Sequence, residues 1–132
     1  MKNVKVIIWG LGSMGKGMAE LLLTKKGVDI VGAVARGEKI GKSMYEHLGL
    51  EKGSREDILM GSFEDVITEK GADVVLLCTD SFTRTAFDKM KFILEKKINV
   101  ITTAEEMAYP QAQEPELAKE LDRIAKENGV TV

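Results

Sequence analysis

Apolar residues along this chain occur in two patterns, short continuous runs and longer stretches with helical spacing. The runs at Val4–Trp9, Val28–Val34, 72–78 and 98–101 predict strands, and the first suits a strand that is buried on both faces. The stretches 14–25, 83–96 and 114–128 predict amphipathic helices. Short buried strands that alternate with helices predict an α/β fold, a doubly wound parallel sheet with helices on both faces.

Each predicted helix carries an apolar stripe that is expected to face the sheet. The stripes are Met14, Met18, Leu21 and Leu22 in the first helix, Phe87, Met90, Ile93 and Leu94 in the second, and Leu117, Leu121 and Ile124 in the third. Lys25, Lys26 and Gly27 are expected to end the first helix. Pro115 suits the first turn of the third, and Gly129 suits its C-terminal cap.

Weaker signals suggest four further elements. Residues 43–48 predict a short helix before Gly49, and residues 58–60 predict a brief third strand. Ser62 suits an N-cap and Asp65 completes a capping-box pattern, which predicts a helix that runs to Lys70. Residues 130–132 predict the start of one more strand. On this numbering, 72–78 and 98–101 are the fourth and fifth strands.

Composition indicates a soluble globular protein with one domain, residues 1–132. Hydrophobic residues make up 44% of the 132 residues and charged residues 30%, with a net charge of -2. Such a balance excludes a basic field for nucleic acid and a polybasic face for a membrane. Cys78 is the only cysteine, so no internal disulfide is expected, and the chain shows neither a signal peptide nor a membrane span. These features predict a cytoplasmic location.

A glycine motif follows the first predicted strand and opens the first predicted helix. Gly10, Gly12 and Gly15 form G-x-G-x-x-G, the dinucleotide-binding pattern of the Rossmann fold. In that pattern the first glycine permits a tight turn, the second lets the pyrophosphate approach the backbone, and the third allows close packing of helix and strand. The alternative, a turn required by packing alone, is less favoured because the strand, turn and helix all stand in the expected order.

The end of the second strand indicates which dinucleotide would bind. An NAD-type site places an acidic residue there to bind the ribose hydroxyls, whereas this sequence has Ala35 followed by Arg36. A guanidinium at this position pairs well with a 2′-phosphate, and Lys39 and Lys42 add positive charge. The sequence therefore predicts NADP as the preferred cofactor, with NAD as the alternative.

Residues after the later strands are candidates for the rest of the cofactor groove, because ligands lie beyond the carboxyl ends of parallel strands. Thr79, Ser81 and Phe82 follow one strand, and Thr102 to Ala104 follow the next. Cys78 is expected to be a buried, unreactive thiol. The neighbouring Glu105 and Glu106 fit a helix start as well as a catalytic role. His47, the only histidine, is expected at the surface, and no metal site is predicted.

Two stretches carry a resemblance to a known family, VIIWGLGSMGKGMAELLLTKKGVDIVGAV and VVLLCTDSFTRTAFDKMKFILEKKINVITTAEEMAYP. Together they resemble the N-terminal domain of the 2,4-diaminopentanoate dehydrogenases, in the dihydrodipicolinate-reductase-like group. The resemblance covers essentially the whole chain, and TTAEEMAYP is its most specific part. It implies oxidative deamination at C4 of 2,4-diaminopentanoate by NAD(P)+ in ornithine fermentation.

The resemblance also assigns residues and a domain context. It implies that Gly10, Gly12, Ser13, Met14 and Gly15 hold the pyrophosphate, that Thr79, Ser81 and Phe82 line the path to the nicotinamide, and that Thr103, Ala104 and Glu105 face that ring. Members of the family continue into a substrate and dimerisation domain. We therefore expect residues 1–132 to be the cofactor domain of a larger homo-oligomeric enzyme for an amino-acid substrate, inactive alone, with its catalytic residues beyond Val132.

Two other functions stay open at this point. One is the cofactor domain of a dihydrodipicolinate reductase, and the other is a dinucleotide-binding module without catalysis, which the fold alone allows.

Overall fold

The computed structural model describes residues 2–132 and contains, within that range, four strands and five α-helices. The strands are β1 (Val4–Trp9), β2 (Val28–Val34), β3 (Val74–Leu77) and β4 (Asn99–Thr102). The α-helices are α1 (Ser13–Leu23), α2 (Met44–Leu48), α3 (Phe63–Val66), α4 (Thr83–Glu95) and α5 (Pro115–Asn128). Short 3₁₀ turns occur at Gly37–Lys39, Glu105–Ala108 and Pro110–Ala112.

The four strands form one parallel sheet in the order β2-β1-β3-β4. After β2 the chain crosses back over β1 and continues on its other side. The carboxyl ends of β1 and β3 therefore flank the point at which the strand order reverses, where ligands bind in sheets of this kind. This arrangement confirms the prediction of a doubly wound parallel sheet.

Alternating side chains of β1 separate two apolar cores, one on each face of the sheet. Val6 and Ile8 belong to the core that contains Ala19 of α1 and the buried residues of α2. Ile7 and Trp9 belong to the other core, which contains the buried residues of α4 and α5. The helices thus cover both faces, as predicted, and α1 and α4 lie on opposite sides of the sheet.

Most long elements match their predicted bounds within two residues, but only part of the predicted stripe of α1 packs against the core. Met18 and Leu22 are partly buried against that core, as predicted. Met14 and Leu21 are each 57% exposed, although they belong to the same predicted stripe. Gly15 and Ala19 are the buried residues of this helix, and their small size lets α1 approach the sheet closely.

The predicted third strand at 58–60 is wrong. This segment forms only an isolated antiparallel bridge between Ser43 and Leu59. Its backbone is bonded to the loop before α2, because the Met60 N–H donates to the Lys42 carbonyl at 2.8 Å. The segment therefore lies outside the sheet, and 72–78 and 98–101 contain the third and fourth strands rather than the fourth and fifth.

Two other predicted elements are shorter or missing. Helix α3 ends at Val66 rather than Lys70, because the fully buried Ile67 turns into the core with extended backbone; the Ser62 hydroxyl does accept the Asp65 N–H, at 3.3 Å. Residues 130–132 form no strand, although the Val100 N–H of β4 donates to the Thr131 carbonyl at 2.9 Å.

Candidate functional site

The turn after β1 requires glycine at its first position. Gly10 has a φ of +102°, and a Cβ there would lie 2.7 Å from Thr79 Cγ2 and 3.0 Å from the Cys78 carbonyl. The turn therefore packs directly against the residues that follow β3. A larger residue would strain the backbone and push apart the carboxyl ends of β1 and β3.

The third glycine of the motif is required by packing within the loop itself. A Cβ on Gly15 would lie 1.9 Å from the Gly10 carbonyl oxygen, far inside van der Waals contact. The first turn of α1 therefore rests on the turn that precedes it. This contact is the close approach of helix and strand that the motif predicts.

Gly12, in contrast, is free of packing constraints. A Cβ built there meets no heavy atom within 4 Å outside its neighbours along the chain, and the φ of −80° suits any residue. Gly12 is the N-cap of α1, and no side chain caps the helix N-terminus at this position. Open space and N–H groups at a helix N-terminus fit an anion, so this cradle fits the pyrophosphate of a dinucleotide.

A groove of about 590 Å³ lies beyond the carboxyl ends of β1, β2 and β3. It brings together five of the residues predicted from the sequence for cofactor binding: Gly10, Gly12, Ala35, Arg36 and Thr79. Ser13, Met14 and Gly15 belong to the start of α1 beside the groove but do not line it. The volume is within the range of ligand-binding clefts.

Positive charge without a partner lies at the β2 side of this groove. Ala35 follows β2, and its N–H donates to the Gly61 carbonyl at 2.9 Å. Arg36 and Lys39 both line the groove and are exposed. Within residues 2–132 neither forms a salt bridge or a side-chain hydrogen bond. Lys42 is exposed and lies outside the groove lining.

Seven lining residues were not predicted as site residues: Trp9, Leu11, Val34, Phe63, Cys78, Asp80 and Lys89. The rings of Trp9 and Phe63 stack at a centroid distance of 5.2 Å. Trp9 stands at the end of a buried strand and Phe63 at the start of a helix, so their patterns indicate core residues. Lys89 lies ten residues beyond Thr79 on α4, and no sequence pattern indicates that it returns to the groove.

Lys89 and Asp80 form an ion pair at the groove wall. The Lys89 Nζ lies 2.9 Å from Asp80 Oδ2 and also donates to Thr79 Oγ1 at 2.9 Å. The Thr79 hydroxyl in turn donates to Asp80 Oδ2 at 2.5 Å. Burial raises the pKa of Asp80, but the hydrogen bonds from Thr79 and Lys89 outweigh it and hold that pKa below its usual range. Asp80 is therefore ionised at neutral pH.

The other predicted residues lie in a second cluster, where the loops after β3 and β4 meet. The Glu106 N–H donates to the Ser81 carbonyl at 3.2 Å, and Glu106 Oε1 accepts the Thr83 N–H at 3.0 Å. Glu106 therefore caps the N-terminus of α4. Thr103, Ala104 and Glu105 line a separate groove of about 960 Å³ beside β4, whereas Ser81 and Phe82 line neither groove.

The remaining candidate side chains show no reactive arrangement. Cys78 is half-buried with its Sγ 3.7 Å from Met18 Sδ, and burial raises the pKa of its thiol. His47 is exposed, and its Nε2 lies 3.3 Å from the Leu11 carbonyl oxygen in the glycine loop. Residues 2–132 contain no group of three or more His, Cys, Asp or Glu side chains that would hold a metal ion. No helix in that range is long and apolar enough to span a bilayer.

Comparisons with known proteins agree with this geometry. The model of an oxidoreductase family with an NAD-binding Rossmann fold matches residues 4–132. The 2,4-diaminopentanoate dehydrogenase of Acetoanaerobium sticklandii is 71% identical over all 132 residues, which correspond to 37% of its length.

Solved structures share the fold. An amine dehydrogenase from Mycobacterium smegmatis superposes with a TM-score of 0.85 and 31% identity, over 98% of this chain and 38% of its own. GenD2 from gentamicin A biosynthesis, solved in complex with NAD, superposes with a TM-score of 0.71 and 21% identity, over 98% of this chain and 33% of its own. The chain thus spans little more than a third of the length of the relatives it matches.

Proposed function

The chain belongs to the oxidoreductase family with an NAD-binding Rossmann fold, and from this premise we propose that it is the cofactor domain of an NADP(H)-dependent 2,4-diaminopentanoate dehydrogenase. The substrate rests on the 71% identity to the dehydrogenase that carries that name. In the proposed reaction C4 of the substrate is oxidised, water replaces the amino group, and the products are 2-amino-4-oxopentanoate and ammonia. Bound NADP+ supplies the hydride acceptor.

The proposed preference for NADP(H) rests on one observation: Arg36 and Lys39 line the groove beside Ala35 and are unpaired. An acidic residue at position 35 would bind the ribose hydroxyls and repel a 2′-phosphate, whereas alanine does neither. A guanidinium makes charge-assisted hydrogen bonds to phosphate, each contributing about 1.5–3 kcal/mol. We therefore assign Arg36 to the 2′-phosphate, with Lys39 adding charge.

The other residues of the chain bind and orient the cofactor in this proposal. The N-terminus of α1, with Ser13 and Met14 in its first turn, holds the pyrophosphate above Gly12. Thr79, Ser81 and Phe82 line the path toward the nicotinamide, and Thr103, Ala104 and Glu105 face that ring. The half-buried, unpaired Cys78 fits a reducing cytoplasm.

The test is steady-state kinetics of the full-length protein with 2,4-diaminopentanoate and either NADP+ or NAD+. We expect turnover, with kcat/KM for NADP+ roughly tenfold or more above that for NAD+, since about 1.4 kcal/mol corresponds to a factor of ten. Arg36→Ala should remove most of that preference and leave the reaction with NAD+ little changed.

Arg84→Ala is the matched control, because it removes an exposed arginine that lies outside the groove and is paired with Glu114. It should leave the cofactor preference unchanged. The absence of turnover would contradict the substrate assignment. A wild type that prefers NAD+, or an equal loss with both cofactors in Arg36→Ala, would contradict the NADP assignment.

A further inference from the structure

Lys89 lies on α4, which begins outside the groove, but its side chain contacts three residues of the groove wall. Its Nζ is paired with Asp80, donates to Thr79, and lies 5.8 Å from the centre of the Trp9 ring. The Lys89 side chain is 32% exposed and that of Asp80 is 14% exposed. The pair is therefore shielded enough for its charges to act on a ligand in the groove.

Lys89 reaches the groove from the face of the sheet opposite the pyrophosphate cradle. Helix α1, whose N-terminus is that cradle, packs on the face that carries Val6 and Ile8. Trp9 and the buried apolar residues of α4 belong to the core on the other face. Lys89 nevertheless lines the same groove as Arg36 and Lys39, so its charge acts at the place that we assign to the 2′-phosphate.

The charges at this end of the groove come from four side chains. Arg36, Lys39 and Lys89 are cationic, and Asp80 is the one carboxylate among the described residues that line the groove. If Asp80 had no partner, its negative charge would oppose a phosphate on the adenosine ribose. Lys89 cancels that charge and leaves Arg36 and Lys39 uncompensated.

We propose that Lys89 is a specificity-determining residue of the cofactor groove: by neutralising Asp80, it allows the adenosine end to accept the 2′-phosphate of NADP(H). This inference rests on the proposed function, because it assumes that a dinucleotide lies in the groove. It differs from a direct contact between Lys89 and the phosphate in one respect: affinity lost on removal of Lys89 should be regained when the charge of Asp80 is removed as well.

The experiment is a double-mutant cycle in which titration calorimetry measures Kd for NADPH and NADH. Lys89→Gln should weaken NADPH about fivefold, the size expected for one unit charge at roughly 10 Å, the separation of β2 and β3 on either side of β1, in a partly solvated groove. NADH should change less than about twofold, because it lacks the 2′-phosphate. Lys89→Gln combined with Asp80→Asn should bring NADPH affinity back to about that of the wild type, because the pair has no net charge in either protein.

Two further variants separate charge from structure. Lys91→Gln removes the same charge from an exposed position of α4 outside the groove lining, and it should change neither Kd. Lys89→Arg keeps the charge and should retain the preference for NADPH. If Lys89→Gln does not fold, Asp80→Asn alone still tests the inference, because it should raise the affinity for NADPH relative to NADH.

The outcomes distinguish this inference from the proposed function. A wild type that binds neither dinucleotide refutes both. A wild type that prefers NADPH refutes only the inference if Lys89→Gln weakens both cofactors equally, if the double variant shows no recovery, or if Asp80→Asn does not shift the preference toward NADPH.

Discussion

Replacement of Gly12 by valine separates the contribution of the glycine loop to binding from its contribution to folding. A Cβ at this position meets no heavy atom within 4 Å, and the backbone conformation suits an L-amino acid. Glycine is a better N-cap than valine by up to about 1 kcal/mol, but the loss of glycine's freedom in the unfolded chain offsets about 0.4–1 kcal/mol. The free energy of unfolding of Gly12→Val should therefore change by less than about 1 kcal/mol.

The same side chain would fill the space through which the pyrophosphate approaches the N-terminus of α1. Loss of two charge-assisted hydrogen bonds, at about 1.5–3 kcal/mol each, removes at least about 3 kcal/mol of binding free energy. The affinity for NADPH should therefore fall by more than about a hundredfold. Urea unfolding, followed by the fluorescence of the single tryptophan Trp9, gives the stability, and titration calorimetry gives the affinity.

Gly15→Ala is the matched contrast within the same motif. Its Cβ would lie 1.9 Å from the Gly10 carbonyl oxygen, so the loop has to shift. Overpacking of this kind typically lowers the free energy of unfolding by about 1–3 kcal/mol. Gly12→Val should show no such loss, because its side chain meets open space. Wild-type affinity in Gly12→Val would refute the assignment of the pyrophosphate to this loop. A loss of stability equal to that of Gly15→Ala would refute the separation of folding from binding.

Two further predictions concern the loops after β3 and β4. Glu106→Ala should lower the free energy of unfolding by about 1 kcal/mol, because the Thr83 N–H loses its acceptor at the start of α4. Glu106→Gln keeps an acceptor, so its urea midpoint should lie close to that of the wild type. Equal urea midpoints in the two variants would contradict the capping role. The lowered pKa of Asp80 stabilises the fold above the unfolded-state pKa of about 3.9, and this stability is lost as the pH falls through the lower folded-state pKa. The difference between the urea midpoints of wild type and Asp80→Asn should therefore shrink as the pH falls below about 4, and a constant difference between them would contradict the assignment.

Elements with strong local signals could be predicted from the sequence with correct bounds. Strands β1 and β2 are apolar runs bounded by polar residues or glycine, and their ends agree with the structure to the residue. Pro115 begins α5, and Gly129 ends it with a φ of +69°. In these cases the residues that determine the element lie within it or beside it, so no knowledge of distant contacts was needed.

The predictions that were wrong concern segments whose structure depends on contacts with residues distant in the sequence. Residues 58–60 have the composition of a strand, but their backbone is bonded to the loop before α2, and only the next residue, Gly61, forms a parallel bridge to β2. Met14 and Leu21 were wrongly placed on the buried face of α1, because close helix–sheet packing selects Gly15 and Ala19 there. Hydrophobic spacing does not report how closely two elements approach.

The residues of the candidate site also fall into two groups, those that the local sequence predicts and those that depend on distant contacts. Gly10, Gly12, Ala35, Arg36 and Thr79 follow strand ends, and a parallel sheet brings all such ends to one edge, so their meeting in one groove could be predicted. Lys89 reaches that edge from the second turn of α4 because of where the helix packs. Its partner Asp80 is adjacent to a predicted residue, yet only the structure shows that the Thr79 hydroxyl is already bonded to it.

The hydrogen bonds between the loops after β3 and β4 have a consequence for the nicotinamide end of the site. Glu106 binds both the Ser81 carbonyl and the Thr83 N–H, so these two loops are held as one unit. The first groove is lined by Asp80 and the second by Thr103, Ala104 and Glu105, whereas Phe82 lines neither and is 60% exposed. If a dinucleotide extends from Arg36 toward Glu105, as proposed, its nicotinamide end lies beside this unit. The hydrogen bonds that hold the unit together come from Glu106 and not from any residue of the glycine motif.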